Sequence, residues 1–291
     1  MESSSRRVAN RASERQQLLE MLRRTRQAQG GGAPARAPTA PPPLRPFELI
    51  GEADRRRLPS GVVDAYPVTQ MQAGMMYHMQ LSPDYLLYQN VDSWHLRAPF
   101  DAQTLYEAVQ RVVARHDVLR TSFDLATYSE PLQLVHETAE MAIAADDLRH
   151  LPASAQDETI AAYVEGEKRC PFDAAVPPLL RFRVHRRSPE AFQFTLTEFH
   201  PILDGWSLQL TLDEILAAYA AALAGQPPPP APPLNVRFRD YVRLEREALA
   251  NDANRRYWSD YLAGYKATDL PRWPSRFRGR GARPVRRAAG S

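Results

Sequence analysis

Between Tyr88 and the proline run at 226–233, apolar and polar positions follow two rhythms, one of period two and one of period 3.6. The stretch YQNVDSWHL (88–96) reads as a strand, Pro99 as a turn, and Asp101 as the cap of a helix over the apolar stripe that follows; a second strand begins near Arg120. PLQLVH (131–136) adds a strand and DETIAAYVEGEKR (157–169) a helix. LLRFRVHRRSPEAFQFTLTEFH (179–200) predicts a hairpin turning at RSPE, because both arms carry β-branched and aromatic residues around a Ser-Pro pair. A long helix then runs from Ser207 to Gly225, where glycine ends it. QPPPPAPP (226–233) stops regular structure, and one or two further helices occupy 238–264. Strands followed by long helices predict an α/β (α+β) layer, a mixed sheet with helices against one face.

The ends have a different texture. SERQQLLEMLRRTRQ (13–27) carries a weak capping box and one apolar face, which predicts a short amphipathic helix. GGGAPARAPTAPPPLRP (30–46) has the composition of a tether. The expected division is therefore a leader over 1–46, a body over 47–273, and a disordered Arg-rich tail over 274–291. The tail has no periodicity and no acidic residue.

Charge changes this picture in one respect. The chain carries a net +3, but nine Arg against three Glu lie in 1–46 and seven Arg against no acid lie in 271–291. The middle is thus strongly acidic, which argues against a nucleic-acid groove, since phosphate binding needs clustered cations. No run approaches the length of a membrane-spanning helix, and no apolar stretch follows the basic N-terminus, so the expected compartment is the cytoplasm. The single cysteine, Cys170, excludes an internal disulfide and a multi-cysteine metal site. As a nucleophile it has no visible partner. No metal is expected. The stripe Met71, Met75, Met79 at four-residue spacing reads as core filling.

The candidate chemistry lies in FHPILDGWS (199–207). Phe192, Phe194 and Leu196 share one face of the strand, and the same alternation carries His200 to the sheet's end on that side, where Pro201 closes the ladder. A histidine so placed can keep one ring nitrogen free and have the other held by a backbone carbonyl, as a neutral general base requires. The alternative is a packing histidine beside an Asp-Gly turn.

FHPILDGWS resembles the HHxxxDG signature of the condensation domains of nonribosomal peptide synthetases, with His200 at the second histidine and Phe199 at the first. YPVTQMQAGMMYH, RHDVLRTSF, PFDAAVPPLLRFRVHR and FRDYVRLEREAL with YWSDYLAG resemble further landmarks of that family, in order, over about residues 58–273. The resemblance implies one lobe of a chloramphenicol acetyltransferase-like fold. It also implies amide formation between an acyl or peptidyl thioester and an aminoacyl amine, both carried on the phosphopantetheine arms of carrier proteins, with no cofactor held by the chain itself. On this resemblance His200 orients or deprotonates the amine, Gly205 offers its N–H to the oxyanion, and Asp204 is structural, paired with Arg120 or, second, with Arg115. The leader helix becomes a docking element for other synthetase modules.

The departures from the pattern also matter. Phe199 removes a hydrogen-bonding group, and Gly74 and Met76 stand where many amide-forming members have Arg and Trp, which leaves the subtype open. The second lobe is replaced by SRFRGRGARPVRRAAGS, which implies a truncated or frame-shifted N-terminal lobe inactive by itself, or else an Arg-rich functional tail. A carrier-binding or partner-binding module without catalysis and a free-standing coenzyme A-dependent acyltransferase are the competing functions.

Overall fold

A computed structural model describes residues 42–82 and 86–266. The leader helix, most of the tether and the Arg-rich tail expected from the sequence lie outside these residues. Leu44 is hydrogen-bonded at both its N–H and its C=O, to Asp240 and Arg239, so the body begins there, three residues before the expected boundary.

The order of elements is α1 (Glu52–Arg55), β1 (Val62–Pro67), α2 (Gln70–Leu81), β2 (Gln89–Leu96), α3 (Ala102–Arg115), β3 (Thr121–Asp124), β4 (Leu132–His136), β5 (Ile143–Asp147), α4 (Ala153–Glu167), β6 (Leu180–Ser188), β7 (Ala191–Phe199), α5 (Gly205–Leu223), α6 (Phe238–Ala250) and α7 (Asp252–Tyr261). Single 3-10 turns follow α3 and β7. The strands form two sheets rather than one. A three-stranded antiparallel sheet has the order β1-β4-β3, and a four-stranded sheet the order β2-β7-β6-β5. β5 runs parallel to β6 and makes the second sheet mixed, as expected.

Helix α3 forms as its sequence dictates. Asp101 accepts from Thr104 N at 2.8 Å, satisfying one of the donors a helix start leaves open. Leu105, Ala108, Val109, Val112 and Val113, spaced three and four apart, make the buried stripe. That stripe shares one core with Phe182, Val184, Phe192, Phe194 and Leu196 of the sheet and with Leu212, Ile215 and Tyr219 of α5. The hydroxyl of Tyr219 receives the N–H of Asp101 at 2.9 Å and donates to Pro99 O at 2.8 Å, fastening α5 to the start of α3.

Helices cover both faces of this sheet, which corrects the one-face layering. Arg181, Arg183 and His185 of β6 pair across the ladder with Thr197, Thr195 and Gln193, and that polar face lies under α4. Tyr163 meets His185 edge to face, and Glu167 pairs with Arg181 at 2.9 Å and accepts from Thr197. Polar alternation reads as a wet face, but here it is buried with its partners supplied by a helix.

The methionine stripe is also corrected. Met71 is 68% exposed, and the residue α2 commits to the core is Met76, at 5%. Met79 packs at the core's edge. The helix rests on the body along one narrow line through Gln72 and Met76.

Candidate active site

β7 is a central strand, paired with β2 on one side and β6 on the other, so its last residues leave the sheet between two walls. His200 follows immediately and starts the 3-10 turn His200–Ile202. Its N–H donates to Tyr88 O at 2.7 Å, and its carbonyl receives Leu203 N at 3.2 Å. Tyr88 sits at φ 59°, left-handed for a non-glycine residue, a conformation that persists only where the surroundings impose it. Its hydroxyl is 2.9 Å from His78 Nδ1 at the end of α2. Gln72, buried on α2, donates to Pro201 O and to Gln133 Oε1, each at 2.9 Å. The loop is thereby pinned from both sheets.

The imidazole is 28% exposed, and its Nδ1 faces Glu198 Oε1 at 3.1 Å. A carboxylate holds the ring, in place of the backbone carbonyl expected from the sequence. Glu198 is 1% exposed, and Asn90 Nδ2 donates to the same Oε1 at 2.6 Å. Glu198 Oε2 is buried and has no hydrogen-bond partner among the described residues. Sequence reasoning missed Glu198 and Asn90. The available signal was spacing: residues 198 and 200 share a face at period two, and Asn90 is the cross-strand partner of Glu198.

Asp204 caps α5, accepting from Ser207 N at 2.7 Å, so the helix opens at Gly205 and not at Ser207. The Ser207 hydrogen bond, with a smaller contribution from the nearby His200, holds the Asp204 carboxyl below its ordinary value. Gly205 is the first helical residue, and a Cβ built there meets no atom within 4 Å. The fold itself does not require glycine at that position; a side chain would instead occupy the space beside His200.

The expected arginine partners of Asp204 are not found. Arg120 is buried, bonded to Asp117 at 2.9 Å and to the carbonyls of Val113, His136 and Glu137. Arg115 pairs with Glu214 at 3.2 Å and donates to Pro232 O at 2.6 Å. Asp117, three residues before Arg120 on the same turn, is nearer in chain and space, whereas an exposed helix cap is already satisfied by backbone N–H. Cys170 is exposed and lines neither cleft beside His200.

Those clefts are two. One, of about 1430 Å³, runs from His200 and Asp204 past Met71, Met75 and Leu210 to the proline strap over α5. The other, of about 680 Å³, is bounded by Asn90, Trp94, Glu198, His200, Gly205 and Leu208. His200 belongs to the wall of both.

A histidine at the end of a central strand, followed by an Asp-Gly helix start and open on two sides, places this lobe in the chloramphenicol acetyltransferase-like fold class. The chain belongs to the condensation-domain family: the family profile named Condensation domain matches residues 62–286. The AMB antimetabolite synthetase AmbE of Pseudomonas aeruginosa is 40% identical over 257 residues, which cover 88% of this chain and 12% of AmbE. A linear gramicidin synthase of Brevibacillus parabrevis is 34% identical over 209 residues, 70% of this chain and 4% of that synthase. Among solved structures, the starter condensation domain of rhizomide synthetase RzmA superposes with a TM-score of 0.61 at 16% identity, over 69% of this chain and 48% of that one. The chain thus spans about half of that solved domain and a small part of the curated synthetases it matches.

Proposed function

We propose that this chain is the histidine-bearing lobe of an amide-forming condensation enzyme acting in the cytoplasm on substrates tethered to peptidyl or acyl carrier proteins. The observation that carries the proposal is that one imidazole belongs to the walls of two clefts, so an acyl thioester and an amine can reach it from opposite sides. The amine nitrogen attacks the thioester carbonyl, the C–N bond forms, and the C–S bond breaks. The amine proton passes to His200 and from there to the leaving thiolate. The Gly205 N–H, at the open start of α5, is available to the oxyanion. Asp204 keeps that helix start in place, while Arg115 and Arg120 support the scaffold away from the reacting atoms. Carrier domains are the expected partners, with other synthetase modules engaging the leader.

The larger cleft is open on one side, and Met71, Trp206, Leu210 and Tyr241 are exposed there or beside it. A facing wall is needed to exclude water and hold two arms in attack geometry, so residues 1–291 alone should turn over little. The test supplies the second lobe of a related condensation domain together with two loaded carriers. Amide should form, and His200→Ala should lower the rate at least about a hundredfold. Undiminished turnover by that variant would remove His200 from the chemistry. Transfer from acyl-coenzyme A to a free amine without carriers would favour the free-standing acyltransferase, and carrier binding without any turnover would favour a binding module.

A further inference from the structure

A carboxylate can only accept hydrogen bonds, so a neutral imidazole that faces it must place its hydrogen on the facing nitrogen. Glu198 Oε1 lies 3.1 Å from Nδ1 of His200. The same oxygen accepts from Asn90 at 2.6 Å, which braces the carboxylate from the neighbouring strand. The backbone of His200 is tied to Tyr88 and Leu203, leaving side-chain rotation as the ring's main freedom, and Glu198 restricts it. We propose that Glu198 is a positioning residue that holds His200 in the Nδ1–H form, leaves Nε2 as the free acceptor, and stabilises the imidazolium formed when Nε2 takes the amine proton. This rests on the amide-forming role proposed above.

Two features set Glu198 apart from a purely architectural side chain. It is almost wholly buried, yet its Oε2 has no partner among the described residues, an arrangement that costs stability and does not supply it. It also belongs to the wall of the smaller cleft, beside His200 and Gly205. A carboxylate kept under-satisfied next to a ring that gains and loses a proton has an electrostatic use there, as the orienting acid of a nucleophile–histidine–acid triad does.

The test reads the tautomer directly and needs no turnover. In the 291-residue chain labelled with 15N-histidine, long-range proton–nitrogen correlation in alkaline buffer, where imidazole is neutral, should show His200 with its hydrogen on Nδ1 and a bare Nε2. His200→Gln assigns the signal among the seven histidines. Glu198→Leu should move the hydrogen predominantly to Nε2 and leave the buried His136 and His185 signals in place. A wild-type His200 carrying its hydrogen on Nε2 overturns the proposal whether or not the variant folds, and so does a folded Glu198→Leu with an unchanged tautomer. In the enzyme completed with a second lobe, Glu198→Leu should lower kcat at least about tenfold with KM for the carriers kept within about twofold. A completed enzyme with no His200-dependent amide formation would sink the reaction proposed above and leave the tautomer result standing.

Discussion

Asp117 and Glu198 are both shielded carboxylates beside basic groups, and their surroundings differ in completeness. Around Asp117 every guanidinium nitrogen of Arg120 has an acceptor, and Arg237 adds a second ion pair at 3.0 Å. This cluster joins the end of α3, the end of β4 and the start of α6. Around Glu198 one oxygen carries two interactions and the other carries none. A saturated cluster is a joint, because removing a member leaves a charge stranded. An incomplete cluster at the wall of a cleft is the kind of place where a proton or a substrate can be accommodated.

The contrast is most exposed at Arg120. Arg120→Ala should cost about 3 kcal/mol or more in denaturant unfolding, since Asp117 and three carbonyls lose their donor. Glu198→Leu should stay within about 1 kcal/mol of wild type, because it removes an unsatisfied oxygen along with its bonds. Equal losses in the two variants would erase the distinction. Asp204→Ala should cost about 1 kcal/mol, the usual loss for a helix cap; a loss as large as that of Arg120→Ala would restore the buried arginine–Asp204 pair that the structure replaces with a cap.

The smallest effect is a slope with pH. Burial pushes His136 below its ordinary value, with the nearby Arg120 adding to it, and burial also lowers His185. For a histidine whose folded value is depressed, the unfolded chain binds more protons in the window between the two values. The contribution to stability is therefore complete above about pH 6.5 and is lost as pH falls through the lower folded values. Unfolding measured from pH 7 down to pH 5 should show this decline, and His136→Gln with His185→Gln should flatten it. An unchanged slope would mean that neither ring resists protonation.

Much of the fold is legible in the sequence because it depends on neighbours in the chain. The stripe Leu105, Ala108, Val109, Val112, Val113 with its Asp101 cap, the hairpin turning at Pro189 and Glu190, and the stop at Gly225 all follow from local periodicity and turn chemistry. β5 escapes such a reading since IAADD has too little apolar character to signal a strand; it is one only because β6 offers it an edge. His200 is found by pattern and family resemblance, but its partner is not. A backbone carbonyl is the general expectation, and the carboxylate two residues earlier on the same face takes its place.

Chemistry within a few residues of chain is thus enough to set where most helices and strands begin and end, which residues of α3, β6 and β7 face an apolar core, and that a histidine leaves the end of a strand just before a capped helix. Those are consequences of period, propensity and capping. Packing in three dimensions is what divides the strands between two sheets, lays α4 over the polar face of the second, gives Arg120 to Asp117, and sets Glu198 with Asn90 against His200. Each of these pairs a charge or a backbone group with a partner chosen by geometry, and a buried polar atom takes whatever complementary atom lies within about 3 Å of it.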